Sequence, residues 1–301
     1  MIRRLLSTIL CWLCLNIAFD AVAGAREPLR VVPLDWGLAS TLFALGVDVP
    51  ALAEKKGYAD WVGQENLSDD IVDLGLRLAP DMERLRGIDP DLILISPQFS
   101  SIAPRLETVA KTKVFATFTP DKTPLDNSIR ITRELGSLLN TGARAERLVG
   151  STEKALEDLR QSRLNASATC AVLIVNFVDE RHIRVFADGS LYGDVLKAGN
   201  IDNAWKRPTN YWGFSTAPAS ALLDYPDAML IAVGPTPLPV ARILDAADGS
   251  HARNNLLDHL PSVAKGRLRM LPPIWSFGGL PEAKILAEAL TAATLPDCPH
   301  E

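Results

Sequence analysis

The chain has 301 residues, 48% of them hydrophobic and 22% charged, a composition that excludes a disordered or fibrous protein and leaves room for one large or two medium domains. With 31 Lys and Arg against 36 Asp and Glu the net charge is -5, so no basic face is available to neutralise a nucleic-acid backbone.

Residues 1–23 read as a secretory signal peptide. Arg3 and Arg4 precede an apolar run from Leu5 to Ala18, and Ala21-Val22-Ala23 supplies the small-x-small cleavage pattern, with Ala25 as the neighbouring alternative. The run of about 14 residues is shorter than the roughly 20 that cross a bilayer. The pattern predicts export, and the paired arginines also permit a twin-arginine route. Cleavage removes Cys11 and Cys14 and leaves Cys170 and Cys298, as one bridge or two free thiols.

In the mature chain, apolar runs alternate with helical patterns, which predicts an α/β fold. Strands are expected at Leu29–Leu34, Asp91–Ser96, Lys113–Phe118, Cys170–Phe177, Ile183–Phe186, Ala228–Val233 and Leu268–Leu271. Helices are expected at Leu38–Leu45, Ile102–Ala110, Asn127–Asn140, Leu191–Ala198, Pro237–Ala247 and Pro281–Ala293. Thr141–Leu164 lacks Pro and any strand signal and predicts one long helix of roughly 33 Å. The expected organisation is an N-terminal lobe over 24–140, a connecting helix over 141–165, a C-terminal lobe over 166–296 and a tail over 297–301. A weak internal echo agrees with two lobes: Pro90-Asp91 and Pro226-Asp227 each open an apolar run, and Val109-Ala110-Lys111 resembles Val263-Ala264-Lys265.

Catalytic machinery is not evident. No phosphate-binding glycine loop, paired-cysteine zinc spacing or His-Glu-x-x-His occurs, and His182, His251, His259 and His300 are not spaced as a ligand set. Ser190 has the register of a helix N-cap rather than a nucleophile. No metal site, cofactor or enzymatic activity is expected.

Aromatic residues carry the functional signal. Trp36, Trp61, Trp205, Trp212 and Trp275 all stand beside turn or polar residues rather than inside aliphatic runs, the placement of a recognition surface. Arg77, between an apolar stretch and Pro80, offers a guanidinium that could fork onto two ligand oxygens.

Leu34-Asp35-Trp36, Gly75-Leu76-Arg77, Pro90-Asp91 and the long helix give the chain a resemblance to the periplasmic iron-siderophore binding proteins of ABC importers. The segments 181–186, Asn203-Ala204-Trp205, Asn210-Tyr211-Trp212-Gly213 and 273–278 resemble the ferrichrome-type hydroxamate branch. The resemblance implies a bilobed, monomeric protein of the periplasm with a shallow cleft that takes a ferric hydroxamate siderophore, the iron held by the cargo, and passes it to an inner-membrane permease driven by a cytosolic ATPase. It implies that Arg77 meets hydroxamate oxygens and that Trp61, Trp205, Trp212 and Trp275 are cleft aromatics. Phe99 and Phe277 stand where that branch has tyrosines, losing one or two hydrogen bonds of about 0.5 to 1.5 kcal/mol each. Ser215 and Asn210, near Trp212, are candidate substitutes. The resemblance also implies an acidic permease-docking residue on each lobe, but Pro104 stands at the N-lobe position, with Glu107 one turn along. Other cargoes (cobalamin, haem or a non-hydroxamate siderophore) and a periplasmic siderophore-processing enzyme are the alternatives.

Overall fold

The computed structural model describes residues 28–63, 67–164, 170–245 and 256–293. The expected signal peptide with its cleavage site, Cys11, Cys14, Cys298, His251, His300 and the 297–301 tail lie outside the described residues. Among the described residues no helix is long and apolar enough to cross a membrane.

The N-terminal lobe begins with β1 (Val31–Pro33) and α1 (Trp36–Ala44), whose first turn is capped by the Asp35 side chain accepting from the Leu38 N–H. Then come β2 (Ala51–Leu52), α2 (Lys55–Val62), β3 (Val72–Asp73) and a hairpin of β4 (Gly75–Leu76) and β5 (Ala79–Pro80). The lobe continues through α3 (Met82–Ile88), β6 (Leu92–Ile95), α4 (Ala103–Leu106) and β7 (Lys111–Val114). The sheet order is β1-β6-β7, all parallel. Every residue of β6 is buried because both faces are covered: Leu92 and Leu94 join Val31 and Leu38 on one side, Ile93 and Ile95 join Val32 and Leu34 on the other.

Beyond β7 lie α5 (Pro124–Leu138) and α6 (Gly142–Leu164). Ala145, in the first turn of α6, belongs to the N-lobe core, whereas Val149, Ala155, Leu156 and Leu159 belong to the C-lobe core. Arg144 donates to the carbonyls of Leu45 (3.0 Å) and Gly46 (2.9 Å), anchoring the same end to the N-terminal lobe. The helix thus ties the lobes and also serves as a layer of the second one.

The C-terminal lobe contains β8 (Val172–Phe177), β9 (His182–Phe186), α7 (Leu191–Ala198), β10 (Phe214–Pro218), β11 (Met229–Gly234), α8 (Leu238–Asp245), α9 (Pro261–Ala264), β12 (Leu268–Pro273) and α10 (Leu280–Ala292). Its sheet runs β10-β9-β8-β11-β12, with β8, β11 and β12 parallel and β9 and β10 antiparallel at the edge. The internal echo has a structural counterpart. Each Pro-Asp opens the middle strand of a parallel trio, β6 between β1 and β7, β11 between β8 and β12, and the second echo leads into the neighbouring strand each time.

Several elements differ from expectation. The strand expected over Lys113–Phe118 is shifted to Lys111–Val114, because the ladder ends where the Phe115 N–H meets the Ile95 carbonyl at 2.8 Å and the chain then turns toward the other lobe. The helix expected to Ala110 stops at Leu106, where Thr108 returns its hydroxyl to the Arg105 carbonyl. The helices α2, α3 and α9 and the strands β2 to β5 and β10 have no counterpart among the elements expected from the sequence. Ser190 caps α7, accepting from the Gly193 N–H, and His182 is an exposed strand-end residue beside Asp179 at 2.9 Å. Cys170 is buried and disulfide-bonded; the chain's other cysteines fall outside the described residues.

Candidate functional site

Parallel strands direct the following loops to one end of the sheet, and α/β proteins bind ligands there. Both lobes turn that end toward a shared cleft of about 680 Å³. From the N-terminal lobe come Asp35 and Trp36 after β1, Ser96 to Gln98 after β6, and Thr117 and Phe118 after β7. From the C-terminal lobe come Trp275 and Phe277 after β12, with Arg184, Tyr211, Trp212 and Phe214 from the edge strands and their turn.

Arg77 is fixed on the N-terminal wall. It sits at the tip of the β4–β5 hairpin, its guanidinium carbon 3.8 Å from the Trp36 ring centroid and 5.7 Å from that of Trp275. Its Nε donates to Glu54 Oε2 at 3.0 Å, so the pair is internally neutral while the side chain remains about one-quarter exposed to the cleft. The hairpin is set by Gly75 at φ +73°, whose N–H is taken by Asp73 Oδ1 at 2.9 Å. Trp36 is held in turn by its indole N–H, which donates to the Ala53 carbonyl at 2.9 Å. A Cβ at Gly57 would meet that indole at 3.0 Å, so a glycine lets α2 lie against the ring without displacing it.

A chain of rings crosses from one lobe to the other. Trp36 meets Trp275 edge-on at 5.0 Å, Trp275 meets Trp61 at 5.8 Å and Phe277 at 5.2 Å, and Phe277 meets Phe118 at 6.0 Å and Phe214 at 5.8 Å. Trp212 stacks on Phe214 at 6.4 Å and is 39% exposed, and the Tyr211 hydroxyl donates across the cleft to the Phe118 carbonyl at 2.7 Å. Asn210 Oδ1 accepts from the Trp212 and Phe214 N–H groups, and Gly213, at φ +75° and packed on the backbone of 189–190, closes this turn.

The Trp275–Phe277 segment is pinned from below by Glu282. This buried carboxyl accepts from the Ser40 hydroxyl of α1 and from the Gly279 N–H at 2.7 Å, joining the first helix of one lobe to the last helix of the other. Burial pushes its pKa up to about 7 against the pull of those hydrogen bonds. Burial likewise raises the Asp35 carboxyl, opposed by the Ser96 hydroxyl and the Leu38 N–H.

Of the ten residues expected at the site, Trp36, Trp61, Arg77, Trp212, Trp275 and Phe277 line the cleft. Phe99, Trp205, Ser215 and Asn210 do not. The Phe99 ring, 1% exposed, turns under β6 into the core with Leu34, Ile95 and Leu106, because the short helical turn after Pro97 presents Gln98 outward instead. Trp205, 4% exposed, lies in the core on the other face of the C-terminal sheet, its indole N–H donating to Ser215 Oγ at 3.0 Å. Ser215 alternates with Phe214 along β10 and so faces Trp205, donating in turn to the Pro208 carbonyl. Asn210 spends its oxygen on its own turn. Ser96, Gln98 and Thr117 are therefore the uncharged polar residues of the cleft, and Arg184 its second cation. Arg184 had a readable signal: it alternates with Ile183 and Val185, which puts it on the face those core residues leave. Among the described residues no group of three or more His, Cys, Asp or Glu side chains could hold a metal ion.

Two α/β lobes, one tying helix and a cleft between their strand ends define a two-lobed ligand-binding protein. The chain belongs to the periplasmic binding protein family, whose model matches residues 31–274. It is 28% identical to the iron(3+)-hydroxamate-binding protein FhuD of Escherichia coli over 276 residues, 92% of this chain and 90% of that protein. Among solved structures it is similar to the siderophore binding protein FhuD of Vibrio cholerae bound to Fe3+-Desferal, with a TM-score of 0.79, 22% identity, and coverage of 90% of this chain and 100% of the other. It is also similar to the siderophore binding protein BauB bound to acinetobactin and ferric iron, with a TM-score of 0.67, 20% identity, and coverage of 88% and 92%.

Proposed function

We propose that the protein captures a ferric hydroxamate siderophore between its lobes and delivers it to an inner-membrane ABC permease and its cytosolic ATPase, after export to the periplasm by residues 1–23. The observation that carries this reading is Arg77, presented among aromatic rings at the cleft wall. A ferric hydroxamate offers a compact set of metal-bound oxygens on one face and an apolar backbone around it. The guanidinium meets the first by charge-assisted hydrogen bonds, and Trp61, Trp212, Trp275 and Phe277 cover the second. The names of the Escherichia coli relative and of the Vibrio cholerae structure support the same cargo class. In this reading the protein works as a monomer, needs no cofactor and performs no catalysis, since the siderophore itself holds the iron. Phe277 brings no hydroxyl to the cleft and Phe99 is turned into the core, so in this reading Gln98, Ser96 and Thr117 supply the remaining polar contacts.

The test is a tryptophan-fluorescence titration of the mature protein, corrected for absorption by the ligand. Ferric hydroxamates, the iron-free siderophores, a ferric catecholate and cobalamin are the arms. Saturable quenching at micromolar or lower concentration by ferric hydroxamates is expected; saturation by cobalamin or the catecholate alone overturns the hydroxamate assignment.

A further inference from the structure

The cleft holds two arginines in unlike settings. Arg77 already has Glu54 as its counter-ion. Arg184 projects from β9 of the other lobe, its guanidinium carbon 5.6 Å from the Phe214 ring, and among the described residues it makes neither an ion pair nor a hydrogen bond. The acidic residues of the cleft do not serve it: Glu54 is taken by Arg77, and Asp35 by Ser96, Leu38 and Gln98. Beside it stands a second polar group whose oxygen has no partner among the described residues. Asn176 is aligned with Arg184 across the β8–β9 ladder and is 3% exposed; its amide nitrogen donates to the Val233 carbonyl at 2.7 Å, while its Oδ1 accepts nothing among the described residues. Aligned cross-strand side chains share a face of the sheet about 5 Å apart.

A half-buried guanidinium with no counter-ion gains most from an anion brought in by the ligand, because the surrounding rings weaken its hydration. We infer that Arg184 selects cargo by charge, pairing with a free carboxylate on the face of the ferric complex turned to the C-terminal lobe. The inference rests on the siderophore reading above and narrows it. In a tris-hydroxamate complex the three ligand charges cancel those of ferric iron and leave Arg184 unanswered. A complex that carries a further carboxylate is anionic and answers it.

The experiment compares three ferric complexes on the mature protein, by fluorescence titration and by calorimetry at low and high salt. They are ferrichrome, which is uncharged, ferrioxamine B, which bears a pendant ammonium, and a ferric citrate-dihydroxamate, which is anionic. The expected order is anionic tightest by at least tenfold, with ferrioxamine B weakest, and only the anionic complex losing affinity with salt. Arg184→Gln should cost the anionic complex tenfold or more and ferrichrome less than threefold, while Arg184→Lys keeps the order. If Arg184→Gln weakens all three equally and lowers the melting temperature, the side chain serves Asn176 and the fold, and the inference fails. If it changes none of them, the inference fails and the siderophore reading stands. If the unmutated protein binds no ferric complex, both fall together.

Discussion

On the N-terminal wall of the cleft the Trp36 indole donates to the Ala53 carbonyl, Arg77 is paired with Glu54, and Trp36 and Trp61 are wedged against Trp275, which reaches over from the C-terminal lobe. The C-terminal wall presents Tyr211 and Trp212 from a turn, 45% and 39% exposed, and an arginine without a counter-ion among the described residues. The first wall is organised before any ligand arrives. The second is left to be completed by it. Recognition of the part common to a class of ligands suits the first wall, and discrimination within the class suits the second.

Trp205 and Trp212, seven residues apart, give the sharpest way to break this comparison. Trp205→Ala empties a core site and should lower stability by about 4 kcal/mol while leaving affinity for a ferric hydroxamate unchanged in the folded fraction. A loss of affinity without a loss of stability, by denaturant titration beside ligand titration, would return Trp205 to the cleft.

Glu282 joins the walls, and its titration tests that junction. The folded protein keeps this proton up to about pH 7 whereas an unfolded chain releases it near 4.5. Between those values the folded state holds the extra proton, so stability falls as pH rises through the window and levels off above it. The whole span amounts to about 3 kcal/mol. Glu282→Gln removes that slope, and parallel stability curves for the two proteins over pH 4.5 to 7 would show that the carboxyl does not titrate there.

Smaller effects concern the walls one at a time. Arg77→Ala should weaken binding at least tenfold, about 1.4 kcal/mol, with a small change in melting temperature from the loss of its pairing with Glu54. Equal affinity would remove Arg77 from the site. Trp212→Ala, on the open wall, should weaken binding about threefold and change stability by less than about 0.5 kcal/mol; a larger loss of stability would mean that this wall is as tightly built as its partner.

The legibility of the molecule in its sequence followed the same division. Apolar runs such as Leu92–Ile95 and Met229–Val233 announced themselves because burial on both faces leaves no choice of residue, and the long helix because nothing in it can be a strand. The short elements β2 to β5 did not, since two-residue strands leave no periodicity to read. A tryptophan beside a turn reads from sequence as a recognition residue, but the structure puts Trp212 on the cleft wall and Trp205 in the core. The difference lies in which face of the sheet the neighbouring strand turns toward the cleft, and that is set by the β9–β10 pairing, not by local composition. Arg184, by contrast, lay within reach of simple alternation along its strand.

The ring of Trp275 completes the packing around Trp36 and Trp61, yet it is encoded more than two hundred residues after them. Because the chain is synthesised from its N-terminus, the leading half is made before the piece that finishes its aromatic cluster. Its first helix likewise waits for Glu282 to meet Ser40. The order of synthesis therefore separates the making of the two halves from their joining. A trap set for the emerging chain short of residue 275 should catch a leading half whose tryptophans remain open to water-soluble quenchers, and release past that point should close them in a single step.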